Sequence, residues 1–337
     1  MEQNIEITHF PVPTRCPLCG AGADFTRHET HVDRGVPYDL YECPSCRAQW
    51  WEPLKNPGAE WYESDVRYAG RNGDPILEAN EQHRRTISFI APLRGRVLDV
   101  GCGVGNFLAW AKKDGWECHG IDFDRDSIET GKRTFGLKNL EVADLHTYKA
   151  RHPGDTFDLV TFFDVFEHID DHVVFIETVR SLLKPGGYIS LSTPYRGGSR
   201  WLVAHDFPPR HLTRWDLESM AAFMDRHGFT VRYQKLLPAK FFFIVTKLRF
   251  KYGRAFTFGL VQKVKDATPR RTTAPRDGSP VRPVLKIRVV HALAKTKDIL
   301  IFGIPAVFIW TGFLFTKKRY TDQIFIAQLR EESGSNV

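Results

Sequence analysis

Short apolar runs of strand length alternate with amphipathic stretches through the middle of this chain. The runs lie at Arg96–Val100, Glu117–Asp122, Leu140–Val142, Phe157–Phe162, Tyr188–Ser192 and Phe229–Gln234, with helical patterns between them. Strands alternating with helices predict βαβ units on a parallel sheet, an α/β domain over residues 56–236. A last alternating run, Asp322–Leu329, predicts a strand that returns to this sheet, so 320–331 joins the same domain. Two zones break the rhythm. Residues 1–55 carry two close cysteine pairs among aromatic and turn residues, and residues 237–319 are basic and apolar. The middle of the second zone, Ala267 to Pro283, is rich in Pro, Arg and Thr and predicts a loop.

Composition changes this picture little. The 337 residues suffice for a full α/β core with one or two appendages, and 42% hydrophobic with 26% charged is ordinary for a globular protein. The start, MEQNIEITHF, has no apolar h-region, so no secretory signal is expected and the cytoplasm is the expected location. Charge is more informative. Between Lys240 and Asp298 there are 15 Lys and Arg against 3 acids (net +12), leaving 32 against 37 (net −5) elsewhere. One segment therefore more than accounts for the overall +7.

The pairs CPLC (Cys16, Cys19) and CPSC (Cys43, Cys46) have 23 residues between them. Four thiolates at knuckle spacing suit a tetrahedral Zn²⁺ in a closed structural site, with two redox pairs as the alternative. Gly20 follows the first pair, and Arg47 holds that place after the second. Asp24, Glu29, Asp33, Asp39 and Glu42 offset the arginines of this ribbon, so a phosphate-tracking surface, and nucleic acid as a partner, is not expected.

The run VLDVGCGVGNFL, Val97 to Leu108, carries the most chemistry. An apolar strand holding Asp99 breaks into Gly101, Gly103 and Gly105, then a helical stretch begins. Strand, glycine turn and helix bring bare backbone against an adenosine-containing cofactor. The dinucleotide fingerprint needs a third glycine where Asn106 stands, and the acid inside the strand suits a cationic ligand without a pyrophosphate. S-adenosylmethionine (SAM) fits. A Rossmann oxidoreductase, or a purely structural turn, is the competing reading.

From roughly Trp61 to Gln234, plus the last strand, the chain resembles the class I SAM-dependent methyltransferases. That resemblance implies a Rossmann-like seven-stranded sheet with the glycine loop under the methionine part of SAM. It implies that Asp122, ending ECHGID, accepts the ribose hydroxyls and that Asp144, in VADLHTY, meets the adenine amine. FDLVTFFDVFEHIDD matches the family's fourth motif, bringing Asp164 to the cofactor and Glu167 and His168 just beyond. LLKPGGYISLSTP matches the helix, turn and fifth strand that follow, with Pro185, Gly186 and Gly187 as the turn. Tyr62, Tyr68 and Arg84 precede the first strand, where such folds cap the methionine carboxylate; packing is the alternative.

Methyl transfer is an in-line displacement, so the protein must position the acceptor and, for a hydroxyl, supply a base. His168 in FEHIDD and His211 in HDFPPRHLT are the candidates, with His205 and Asp206 as weaker ones. This zone is similar to the ubiquinone-biosynthesis O-methyltransferases, a resemblance that sets the Glu167–His168 pair beside the substrate, where it helps hold a metal. His168 could instead serve only to fix its loop by a hydrogen bond. The cysteine ribbon is expected to act as a scaffold or lid near the acceptor pocket.

From Ile299 to Thr316, 18 residues carry no formal charge, and Lys317, Lys318 and Arg319 follow. As a helix this would span roughly 27 Å, close to a bilayer core. The last strand must return to the sheet, so one crossing is excluded, and Phe241 to Val245 is too short to supply a second. Pro305 permits a bend. In-plane or re-entrant attachment to an anionic inner membrane face is the expectation, with packing on the sheet or a dimer interface as the alternative. Three functions remain: O-methylation of a lipid-linked or amphipathic small molecule, methylation of a sugar, and non-catalytic adaptor work on a SAM-binding fold.

Overall fold

The computed structural model describes residues 10–22, 24–58, 61, 80–199, 206–256, 301–312 and 315–331. Tyr62, Tyr68, His205 and most of the basic segment lie outside these. The expected α/β sheet is present, built from strands β4 (Arg96–Val100), β5 (Glu117–Asp122), β6 (Asn139–Val142), β7 (Phe157–Phe163), β8 (Leu183–Pro194), β10 (Phe229–Pro238) and β11 (Tyr320–Leu329). Their order is β10-β11-β8-β7-β4-β5-β6. The four pairings among β4 to β8 are parallel, while β11 runs antiparallel to β8 from Asp322↔Pro194 to Gln328↔Tyr188. β4 and β7 are buried along almost their whole length, as central parallel strands covered on both faces must be.

Helices α1 (Glu81–Ile90), α2 (Asn106–Lys113), α3 (Arg125–Phe135), α4 (Leu145–Arg151), α5 (His172–Leu182) and α6 (Leu217–Arg226) connect or flank the strands. Most carry side-chain caps: Asp124 accepts from Ser127 N–H, Asp171 from Val174 N–H, and Asp216 closes a capping box with Ser219. From β4 the chain runs outward through β5 and β6, then returns to place β7 on the other side of β4. The order reverses between β4 and β7, and open α/β sheets bind ligands at such a point.

One strand differs from its sequence reading. Pro185–Gly187, expected as a turn before the strand, lies within the bounds of β8, which extends from Leu183 to Pro194. Leu183 pairs with Phe157 ahead of an irregularity in the ladder, and Lys184 Nζ holds both oxygens of Asp158 at 2.9 and 2.8 Å. Lys184 to Gly187 lie opposite Asp158 alone and have no ladder partner on β7, and Gly186 has a φ of +70°, so the residues that favour a turn form a bulge inside the strand.

The ribbon forms a second sheet of order β1-β2-β3-β9, from β1 (Thr26–Asp33), β2 (Val36–Glu42), β3 (Gln49–Glu52) and β9 (Thr213–Arg214). β1 and β2 join through a two-residue turn at Arg34 and Gly35, both at positive φ, which matches the twist of a tight hairpin. The ribbon and the seven-stranded sheet belong to one compact unit, and the segment from Pro238 to Arg319 belongs to a second. In that second unit α7 (Phe241–Phe256) buries Ile244, Val245 and Leu248 with Phe302 and Ala306 of a helix over 301–312, which continues through Pro305. Among the described residues no helix is long and apolar enough to cross a membrane.

Candidate active site

The loop after β4 fills the crevice at the reversal. Gly101, Gly103 and Gly105 all have positive φ, and Gly105 is the left-handed N-cap of α2. Gly101 is required twice, because at φ +70° a Cβ there would also lie 2.5 Å from Val165 Cγ2. Gly103 is different: at φ +53° a Cβ would meet nothing within 4 Å, so the backbone there is open to a ligand. Its N–H donates to Asp122 Oδ2 at 2.8 Å, and Asp124 N–H donates to Asp122 Oδ1 at 2.9 Å. The glycine loop and the carboxylate ending β5 therefore face each other.

The remaining acids of this half are tied to the fold. Asp99 is buried and accepts from Thr161 Oγ1 at 2.6 Å. Burial pushes its pKa up to about 7, with Thr161 opposing and the charge of Asp122 adding. Asp144 caps α4, accepting from Thr147 N–H at 2.8 Å and Thr147 Oγ1 at 2.7 Å. Burial raises its pKa, but these hydrogen bonds outweigh that and hold it below the ordinary carboxylate value. Arg84 pairs with Glu81 in its own helix. His83, which sequence reasoning passed over, lies 4.9 Å from Phe163 and 5.6 Å from Phe107, and burial holds its pKa down at about 4.

Beyond β7 the chain turns at Asp164, whose φ of +54° is a strained position for a side-chain-bearing residue. Two bonds to one partner hold it: Asp164 N–H donates to Ser192 O at 3.0 Å, and Ser192 Oγ donates to Asp164 Oδ1 at 2.7 Å. A 3₁₀ turn, Phe166–His168, follows and buries Glu167 to 1% exposure. Ligand atoms of Glu167, His168 and His211 come within 4.8 Å of one another. His168 Nδ1 donates to Arg210 O at 2.6 Å and His211 Nδ1 donates to Asp206 Oδ1 at 2.8 Å, which assigns Nε2 as the basic nitrogen of each neutral ring. The two rings pack edge to face, 4.8 Å apart.

This corner holds more negative charge than a folded core tolerates alone. Burial drives the Glu167 pKa far upward, and the charges of Asp164, Asp206 and Asp322 add to it. Asp322 is pushed up to about 7 by burial and then by Asp164. Glu167 Oε2 is buried with no hydrogen-bond partner among the described residues. Hard oxygen and imidazole donors around an orphaned carboxylate oxygen fit a divalent cation. Sequence reasoning missed Asp322, whose neighbours in this corner stand more than a hundred residues earlier in the chain.

The four cysteines meet as expected. Cys16 Sγ lies 3.8 Å from Cys46 Sγ and Cys19 Sγ 3.7 Å from Cys43 Sγ. A tetrahedron of thiolates at a Zn–S bond of about 2.3 Å has edges of about 3.8 Å, so the set fits zinc. The two knuckles match: Gly20 N–H donates to Cys16 O at 2.9 Å and Arg47 N–H to Cys43 O at 2.8 Å, with both residues at positive φ.

Comparison with known proteins agrees with this geometry. The model of the methyltransferase domain family matches residues 76–234. The ubiquinone biosynthesis O-methyltransferase of Thiobacillus denitrificans is 32% identical over 46% of this chain and 62% of its own. That of Ralstonia nicotianae is 30% identical over 50% of this chain and 66% of its own, so the match spans just under two thirds of these curated relatives. For the Paraburkholderia phymatum enzyme of the same name the figures are 30%, 50% and 67%. The chain belongs to the SAM-dependent methyltransferase family. The methyltransferase fold is also that of Haemonchus contortus phosphoethanolamine N-methyltransferase 2 in complex with S-adenosyl-L-methionine. That structure is 17% identical with a TM-score of 0.50, covering 80% of this chain and 59% of that one, a likeness of fold alone. In the methyltransferase of this chain, the loop of Gly101 to Gly105 with Asp122 is the part that fits SAM, and the cysteine cluster is the part compatible with zinc.

Proposed function

We propose that this protein moves the methyl group of SAM to a hydroxyl of a lipid-linked or amphipathic small molecule at a membrane surface. The observation that carries the oxygen acceptor is the grouping of Glu167, His168 and His211, just beyond Val165, whose side chain packs against Gly101 of the glycine loop. The names of its curated relatives, O-methyltransferases, support the same reading. SAM supplies a methyl group on a sulfonium centre. Asp122 would hold its ribose hydroxyls, and the backbone of Gly101 to Gly105 would lie along its methionine part. A divalent cation held by Glu167, His168 and His211 would lower the pKa of an acceptor hydroxyl. In that reading His211 would be a ligand through Nε2, its Nδ1–H being held by Asp206, and the acceptor proton would pass to water. In a second reading, without the cation, His211 takes the hydroxyl proton at Nε2 and is itself the base.

The membrane surface is supported by the helix over 301–312. Its buried side, Phe302 and Ala306, packs on α7, yet the opposite side is also apolar: Ile304 is 71% and Phe308 73% exposed, with Phe315 beyond at 92%. An exposed apolar stripe followed by Lys317, Lys318 and Arg319 matches an anionic bilayer surface in both hydrophobicity and charge.

Labelled SAM incubated with lipid and aqueous extracts, with and without a chelator, tests the reading. Label entering a lipid fraction in a chelator-sensitive way is expected. Chelator-insensitive transfer leaves His211 as the base, and label on a water-soluble sugar alone replaces the acceptor class. Absence of transfer to either extract leaves a SAM-binding adaptor.

A further inference from the structure

The ribbon and the acceptor side of the site are joined by bonds that a scaffold alone does not need. β3 pairs with β9 through Gln49↔Arg214 and Trp50↔Thr213. Trp51 N–H donates to Leu212 O at 2.8 Å, and Leu212 N–H donates onward to Glu167 O at 2.7 Å. Asn56, just past the ribbon, donates from Nδ2 to His168 O at 2.8 Å. Glu167 is thus two bonds from Trp51 of the ribbon, and His168 is one bond from Asn56 just past it.

The contact at His211 is the most specific. Asp206 Oδ1 accepts from His211 Nδ1 at 2.8 Å, while Asp206 Oδ2 accepts from Arg214 Nε at 3.2 Å. Arg214 in turn lies 3.6 Å from Glu29 on β1, and Phe207 stacks on His31 of the same strand at 4.7 Å. With a separate donor on each oxygen, the Asp206 carboxylate cannot rotate, so the imidazole on it has one orientation. The side chains of Arg214, Asp206 and His211 are only 11%, 4% and 6% exposed, which keeps water from replacing these bonds.

We propose that the cysteine ribbon is a positioning element of the site, and that Arg214 is the residue through which it sets the His211 ring. The proposal rests on His211 acting on the acceptor side, as argued above. A ribbon that merely covered the sheet would need only contacts such as that of Arg226, whose Nη1 donates to Cys19 O at 3.1 Å.

Arg214→Gln and Arg226→Gln in the full-length protein separate the two roles. With ¹⁵N-histidine labelling, the Nδ1–H of His211, identified by its loss in His211→Gln, should give a protected downfield signal in the parent and in Arg226→Gln. In Arg214→Gln it should vanish, and kcat should fall by about tenfold or more, the usual cost of losing a partner behind a functional histidine. KM for SAM and bound zinc should be unchanged. Retention of the signal with parent kcat in Arg214→Gln, or equal loss in Arg226→Gln, overturns the proposal. Should Arg214→Gln precipitate, Glu29→Gln at the outer end of the same chain gives the same contrast. If His211→Gln leaves methyl transfer untouched, the acceptor-side role of His211 fails, whereas the positioning itself is still decided by the signal.

Discussion

Replacing Asp99 by Asn tests whether the acid inside β4 is held protonated by its surroundings. Asp99 is 3% exposed, and its pKa is raised from 3.8 to about 7, chiefly by burial. Across that window the folded protein keeps a proton that the unfolded chain has released, so stability must fall as pH rises from about 4 through 7. About three pKa units at 1.36 kcal/mol each make the full loss roughly 4 kcal/mol, complete above about pH 8. Asn does not titrate, and its Oδ1 can still accept from Thr161. The other acids of the site are common to both proteins and cancel in the difference. Urea unfolding at pH 5, 6, 7 and 8, without SAM, should therefore show Asp99→Asn gaining on the parent by roughly 1.4 kcal/mol per unit at the steepest point. Saturating SAM, a cation, should flatten the parent profile by favouring the carboxylate. A stability difference that stays constant from pH 5 to 8 would refute the reasoning, because Asp99 would then be ionised in the fold.

Three further outcomes follow from the geometry. Asp122→Ala removes a carboxylate whose charge-assisted bonds contribute about 1.5–3 kcal/mol each, so SAM affinity by calorimetry should fall by at least about tenfold; unchanged affinity would count against the ribose assignment. Gly101→Ala and Gly103→Ala should part company. Both take on the left-handed backbone cost of about 1–2 kcal/mol, but Gly101→Ala also clashes with Val165 and should lower Tm further, whereas Gly103→Ala should lose SAM binding with little additional loss of Tm. Cys43→Ser should drop the metal content from about one zinc per chain and lower Tm, and a parent protein without zinc would sink the tetrahedral reading.

The cofactor half of this site was legible because its signals are local. Val97 to Leu108 contains its own strand, turn and helix start, and each glycine is explained by φ or by a neighbour within the same fold unit. Asp122 could be placed because it ends a strand of recognisable length. At Pro185–Gly187 the same local logic gave the irregularity but not its setting, since these residues bulge from the ladder between Leu183 and Tyr188 within one strand. It also could not reveal what Asp99 does, since the bond that holds it comes from Thr161, 62 residues later.

The acceptor half is written in pairings that no window along the chain contains. β9 is two residues long, with no apolar pattern, and it is a strand only because β3, more than 160 residues earlier, offers it a ladder. Asp322 enters the acidic corner because β11 pairs with β8 from Asp322↔Pro194 onward, a register set by seven paired residues rather than by Asp322 itself. A one-residue slip of that register would turn Asp322 to the other face of the sheet and remove its charge from beside Asp164. The charge balance of the corner is therefore a property of strand register. Substitutions that loosen β11, such as Ile324→Gly at its buried start, should disturb the Glu167 environment as surely as changes beside Glu167, and should do so without touching the glycine loop or Asp122.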